Sequence, residues 1–285
     1  MKSIILLAVL FVSTAVTHAQ NNVLFIENFT NGNYDNWEVF DDVEPRSGPS
    51  NWVVQNQVLR QTSNIWSYDP PAEFIYHLGT KVIAGDSSWA NYSFNAVLRS
   101  TDNDGIGMIF RYQDEKNYYR ILLMDDAGNS GSTQSAVQRI QKMVDGEPIT
   151  LLQNEVNEAF PSGNFALSVD VRDDSIKVFL NHSLIGKVKD SEYSSGKIGL
   201  FTYANSGAYF DSITVSSDFF IYDEIEEFLP LQPVSQDRLP YIQNPTTTQV
   251  EIAWRSVEKT VGKVNFGTEK GVYSQSIIED APLQK

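Results

Sequence analysis

The 285-residue chain has no cysteine, which excludes disulfides and thiolate metal sites. Histidine is scarce: His18, His77 and His182 are the three present. They lie far apart in sequence, so none is a credible catalytic base. Positive charge is in deficit, with 21 Lys and Arg against 36 Asp and Glu, a net charge of −15. Such a surface repels a phosphate backbone, which argues against a nucleic-acid partner. The acidity serves solubility, or it clusters carboxylates for a hard cation such as Ca²⁺. After the first twenty residues no apolar run is long enough to span a bilayer as a helix, so no transmembrane segment is expected. No stretch shows convincing helical periodicity either.

What is present begins with MKSIILLAVLFVSTAVTHAQ. Lys2 gives a positive start, Ile4 to Val12 form a short apolar stretch, and Thr17 and Ala19 place small residues before Gln20. This is the pattern of a secretory signal peptide over residues 1–19, of bacterial style. The expected mature protein is exported and soluble: secreted, periplasmic or at the cell surface.

From Val23 to about Ser216 the pattern is β. Apolar and polar residues alternate in Tyr92–Arg99, Asn164–Val171 and Ser175–Leu180, the period of strands with one buried face. Val137–Val144 runs into the turn Asp145-Gly146 and a second strand at Ile149–Leu152, which favours strand over helix. Asn31-Gly32, Asp104-Gly105 and Ser162-Gly163 mark further turns. An aromatic content of 12% also suits an all-β chain. About a dozen strands over residues 20–216 predict an antiparallel jelly-roll β-sandwich whose first and last strands pair. Residues 217–238, SDFFIYDEIEEFLPLQPVSQDR, lose the alternation and form a linker, with a short helix at Asp223–Leu229 as one option. Residues 239–285 resume alternation at Val250, Ile252 and Trp254 and resemble the opening strands of an immunoglobulin-type sandwich. Such a domain needs about 100 residues. The unit is therefore expected to be incomplete, and the chain a fragment of a longer protein or a truncated gene model.

Two family resemblances rest on particular residues. DGIGMIFRYQDEKNYYRILL (104–123), the strand at Gly196–Phe201 and the closing Ala208–Ile213 resemble the concanavalin A-like jelly-roll superfamily, most of all laminin-G-like modules and the thrombospondin C-terminal domain. The resemblance implies a two-sheet jelly roll, often with Ca²⁺, that binds sugars or proteins. Leu239–Thr246, Val250–Trp254 and Val264–Thr268 are similar to the N-terminal fibronectin type III-like domain of purple acid phosphatases. That resemblance implies a two-metal phosphoesterase domain further along a parent chain. No residue of this chain matches its metal ligands.

Candidate sites follow from residue chemistry. Residues 100–123 suggest a β-hairpin with an acidic tip. Asp102 and Asp104 offer closely spaced oxygens for Ca²⁺, and acidic residues at matching places can bind it in the thrombospondin-like group. The competing reading is a turn in which Gly105 takes a positive φ. Glu27 and Asp211 form a second candidate, since pairing of the first and last strands brings them together. Trp66, Tyr68, Trp89, Tyr112 and Tyr118 are candidates for a flat sugar-binding platform, against the alternative that most rings, including those of Trp37 and Trp52, are core. Tyr118 and Tyr119, being adjacent, point to opposite faces, one core and one more exposed. Arg120, sharing a sheet face with Arg139, could grip a carboxylate or sulfate; cross-strand pairing with Asp or Glu is the alternative. The expected function is binding of a carbohydrate or other extracellular polymer, as the targeting part of a phosphoesterase or as a stand-alone adhesion protein. Glycoside hydrolysis is a weaker option, because neighbouring carboxylates of the ExDxxE kind are absent.

Overall fold

The computed structural model describes residues 22–42, 45–46, 48–67, 76–126, 136–222, 236–243, 251–256, 263–266 and 275–278. The signal sequence, Tyr68 and the optional helix at Asp223–Leu229 lie outside them. Among the described residues there is no helix, and so none long and apolar enough to cross a membrane. The chain divides into two units, Met1–Ile225 and Glu226–Lys285.

The first unit is built from β1 (Val23–Glu27), β2 (Glu38–Asp41), β3 (Pro45–Arg46), β4 (Trp52–Gln55), β5 (Val58–Gln61), β6 (Trp66–Ser67), β7 (Thr80–Ala84), β8 (Tyr92–Ser100), β9 (Gly105–Asp114), β10 (Asn117–Met124), β11 (Ala136–Val144), β12 (Glu147–Val156), β13 (Asn164–Arg172), β14 (Ser175–Leu180), β15 (Ser183–Lys189), β16 (Lys197–Tyr203) and β17 (Ala208–Ser216). An eight-stranded antiparallel sheet runs β15-β14-β13-β8-β17-β5-β4, with β1 also on β17. A seven-stranded antiparallel sheet runs β12-β11-β10-β9-β16-β7-β2. This is the expected jelly-roll sandwich, and β1 and β17 pair as its first and last strands. In the second unit β18 (Gln236–Gln243) pairs with β19 (Glu251–Ser256), and β20 (Lys263–Phe266) with β21 (Gln275–Ile278).

The alternation of each strand decides what fills the sandwich. Phe94, Ala96 and Leu98 of β8 and Phe165, Leu167 and Val169 of β13 meet Met108 and Phe110 of β9 and Tyr119, Ile121 and Leu123 of β10 in one core. Each fully buried side chain of this size contributes about 1.5–3 kcal/mol. Trp37 and Trp52 belong to that core, as the bland reading of these residues had it.

Two local expectations need correction. Residues 100–105 are not the tip of a hairpin. They turn the corner from β8 in one sheet to β9 in the other, and the hairpin tip lies at Asp114–Asn117, between β9 and β10. Gly105 also does not take a positive φ. What it supplies is space, since a Cβ there would lie 2.8 Å from Leu122 Cδ1.

Candidate functional site

The site is the outer face of the seven-stranded sheet, the one turned away from the eight-stranded sheet. Residues whose neighbours fill the core point here: Lys81 and Ile83 from β7, Ile109 from β9, Tyr118, Arg120 and Leu122 from β10, Arg139, Gln141 and Met143 from β11, Phe201 and Tyr203 from β16. Tyr112 reaches the same face after a bulge in β9, where Arg111 adopts a left-handed φ of 47°. An outer sheet face is ordinarily polar and wet. This one instead packs a second apolar cluster, with Phe40, Trp66 and Leu78 against it.

Cations are set into that cluster. Lys81, 1% exposed, forms an ion pair with Asp42, and its Nζ lies 5.3 Å from the Tyr118 ring centroid. Burial alone would lower the Lys81 pKa. The Tyr118 hydroxyl and the Asp42 carboxylate outweigh it and hold the amine above its ordinary range. Arg120, fully buried, stands 5.0 Å from the Phe201 ring centroid. It donates from Nε to Gln141 Oε1 at 2.9 Å, from Nη1 to the His77 carbonyl at 3.0 Å and from Nη2 to the Tyr76 carbonyl. Arg139, 7% exposed, donates from Nε to Gln153 Oε1 at 2.7 Å, and its Nη1 lies 3.2 Å from His77 Nδ1. The His77 ring meets Tyr203 edge-on at 4.9 Å. Of the three cations, only Lys81 has a carboxylate partner among the described residues. Burial depresses the pKa of both guanidiniums, and Arg139 is lowered further by the charge of Arg120.

The structure brings together four of the sequence candidates here: Trp66, Tyr112, Tyr118 and Arg120. It does not expose them as a platform. Tyr112 and Tyr118 are buried and stacked at 5.9 Å, because both faces of their strands are covered. For the same reason Tyr119 and Tyr118 are core alike, and neither is the exposed member of the pair. Arg120 is closed off from solvent, its donors used on backbone carbonyls and Gln141. Arg120 and Arg139 do share a face, but among the described residues neither makes the cross-strand pair with Asp or Glu given as the alternative. Trp66 is half-buried at the edge of the cluster. Trp89 is elsewhere, in the loop between β7 and β8, packed 6.2 Å from Phe25 and 6.4 Å from Tyr92.

The acidic candidates form two places: Glu27 and Asp211 lie on the other sheet, while Asp104 borders this face, near enough for burial and its charge together to raise the Tyr203 pKa. Asp102 is turned inward on its loop, accepting from Asn103 N at 2.9 Å and Ser206 N at 3.1 Å. Burial and the charges of Asp102 and Asp126 push the Asp104 pKa up to about 6. Glu27 accepts from Asn28 N and Phe29 N, and Asp211 accepts from Ser212 N. Burial pushes the Asp211 pKa up to about 7, with Glu27 adding to the rise. Among the described residues no three carboxylates or imidazoles converge as metal ligands.

Sequence reasoning missed Lys81, Asp42 and His77. Lys81 sits in an apolar strand and its partner is 39 residues away, so no local pattern flags the pair. His77 is a lone histidine in sequence and gains its neighbours only by folding.

No protein-family model and no curated protein matches the chain. Among solved structures it is similar to the carbohydrate-binding module CBM66 from Bacillus subtilis (16% identity, TM-score 0.41, 53% of this chain and 90% of that one). It is also similar to the Bacillus licheniformis β-glucanase (14%, TM-score 0.45, 69% and 98%). A third is the GH43 protein BlXynB of Bacillus licheniformis (14%, TM-score 0.47, 70% of this chain), of which this chain spans about 40%.

Proposed function

We propose that the first unit is a saccharide-binding module with its ligand seat on the outer face of the seven-stranded sheet, where Arg139 and His77 meet at the margin of the apolar cluster that also packs Trp66. The observation that supports it is a buried charge whose side-chain partners, Gln153 and His77, carry no carboxylate. Arg139 is 93% shut from water beside a second guanidinium, and no carboxylate among the described residues offsets it. Buried unpaired charge destabilises a fold, so its retention points to use. A guanidinium beside an imidazole that itself packs on Tyr203 offers planar donors and a flat apolar wall, the combination that holds a hydroxylated ring.

Binding fits better than hydrolysis. Asp42, the buried carboxylate at this face, is taken by Lys81 and by Gly79 N at 2.7 Å. Glu38 belongs to β2 and Glu147 and Glu155 to β12, the opposite edge strands, and Glu147 already accepts from the Tyr76 hydroxyl. Six strand intervals put those strands about 29 Å apart at the usual spacing, against the roughly 10 Å a two-carboxylate mechanism needs.

The test is affinity electrophoresis of the full chain in gels carrying neutral polysaccharides, with Arg139→Gln beside the wild type. The variant is expected to lose retardation while its melting temperature holds or rises, because a buried unpaired cation is gone. Unchanged retardation, or a lower melting temperature with binding intact, assigns Arg139 to structure instead.

We also infer a phosphoesterase parent for this chain. Its support is the resemblance of Leu239–Thr246, Val250–Trp254 and Val264–Thr268, and it places catalysis in no residue of this chain. The intact mass of the native protein decides it. A mass far above the 32.1 kDa of these 285 residues, with metal-binding motifs encoded downstream, supports the reading, and a mass near that value ends it.

A further inference from the structure

The outer face of the other sheet carries a cationic row that the saccharide reading does not use. Pairing registers line up Asn164 of β13, Arg99 of β8, Tyr209 of β17 and Arg60 of β5 across four neighbouring strands. Their inward neighbours Leu98, Phe210 and Leu59 are core, so the row faces outward, and all four side chains are half-buried. Tyr209 lies between the two arginines. The Arg99 guanidinium carbon is 4.1 Å from its ring centroid and that of Arg60 is 4.5 Å. Arg60 also donates to the Tyr209 hydroxyl at 3.0 Å and bonds Gln55 Oε1.

Among the described residues the arginines have no counter-ion, since no carboxylate pairs with either. Asp211, two residues along β17, has Glu27 as its charged neighbour, not an arginine. The Nε–H of Arg99 and of Arg60 is shut from water with no acceptor. Stacking on the ring therefore holds the Arg99 guanidinium in place, and its Nη edge is left without a protein partner among the described residues. Two held, like-charged donors either side of one ring in a chain of net charge −15 make a local seat for an anion.

We propose that this row binds an anionic polysaccharide, its carboxylate or sulfate groups accepting from Arg99 and Arg60. Four residues across three strand intervals span about 14 Å in a line, which suits an extended polymer lying across the strands. An acidic protein partner fits less well. The apolar outward neighbours in register are Val53, Val97 and Ala166, all small, and Tyr209 is already clamped between the arginines, so the large apolar or aromatic centre that anchors protein interfaces is missing.

Heparin and polygalacturonate are the probes, with dextran as neutral control, in affinity gels of the full chain at about 20 mM salt, where screening is weak. A chain this acidic will not adhere to a polyanion without a local site. Retardation by at least one polyanion is expected, weakened about tenfold in Arg99→Gln, as loss of a charge-assisted contact implies. It should vanish in the Arg60→Gln/Arg99→Gln double variant and persist in part in Arg60→Lys/Arg99→Lys. Arg99→Gln removes a side chain with no hydrogen bond to lose, so it decides the matter if the double variant does not fold. Arg139→Gln, on the opposite sheet, should leave polyanion binding unchanged, which separates this row from the saccharide seat. Absence of retardation in the wild type overturns the proposal, as does equal retardation of the Gln variants. Competition by poly-glutamate as strong as by polygalacturonate reassigns the row to an acidic protein.

Discussion

Single residues carry the titration behaviour of this fold. Asp211 holds its proton to about pH 7 when folded, against an ordinary value of 3.8. Between those values the folded chain keeps a proton that the unfolded chain has lost, so stability falls as pH rises through the window. With chelator present, Asp211→Asn is expected to raise stability by on the order of 2 kcal/mol at pH 8 and hardly at all at pH 4, read from urea midpoints. A Ca²⁺ ion on Glu27 and Asp211 would offset the cost of burying the Asp211 charge beside Glu27. Adding Ca²⁺ at pH 8 should then raise the wild-type melting temperature, and Asp211→Asn should erase that rise. If Asp102→Asn/Asp104→Asn erases it instead, the ion sits at the β8–β9 corner, and a melting curve blind to both Ca²⁺ and chelator leaves neither place a metal site. Sequence located these four carboxylates but not their partners, because Ser206 meets Asp102 from 104 residues away.

At the level of elements, alternation made strands legible: β8, β13 and β14 fall where period two placed them, and β11 where the following Asp145-Gly146 turn placed it. It could not tell which outer faces stay wet. Tyr112, Tyr118 and Arg120 look like surface residues on a half-exposed strand, and they are buried because residues from β2, β6 and the stretch before β7 pack over them. The eight-stranded sheet repeats the lesson with Ser217–Tyr222, the start of the segment expected to be a linker. It crosses the polar outer face, where Asn95 Nδ2 donates to the Phe220 carbonyl at 2.9 Å and Phe220 N donates to Ser93 Oγ at 3.1 Å. Phe219 meets Phe179 edge-on at 6.2 Å. Asn95→Ala removes one of these holds and leaves Ser168 Oγ without its acceptor. Limited chymotrypsin digestion should cut after Phe219 or Phe220 several-fold faster in that variant, with the rest of the unit still resistant. Equal cutting rates would mean the segment is held mainly by its rings.

For the molecule as a whole, the jelly roll was readable from strand count, turn spacing and the closing Ala208–Ile213. Of its two cationic surfaces, the shared face of Arg120 and Arg139 was readable, since β10 and β11 are consecutive. The row of Arg60 and Arg99 was not, because it is assembled from strands far apart in sequence: Arg60 meets Tyr209 across 149 residues. The placement of β17 has one more effect. It is the last strand of the unit, yet it lies inside the eight-stranded sheet, against β8 on one side and β5 and β1 on the other. A chain emerging from the N-terminus can make the β9–β10 and β10–β11 hairpins early, but β1, β5 and β8 keep bare edges until Ala208–Ser216 arrives. Contacts this distant in sequence make folding slow. The unit therefore stays open for nearly the whole of its own synthesis and closes in one late step.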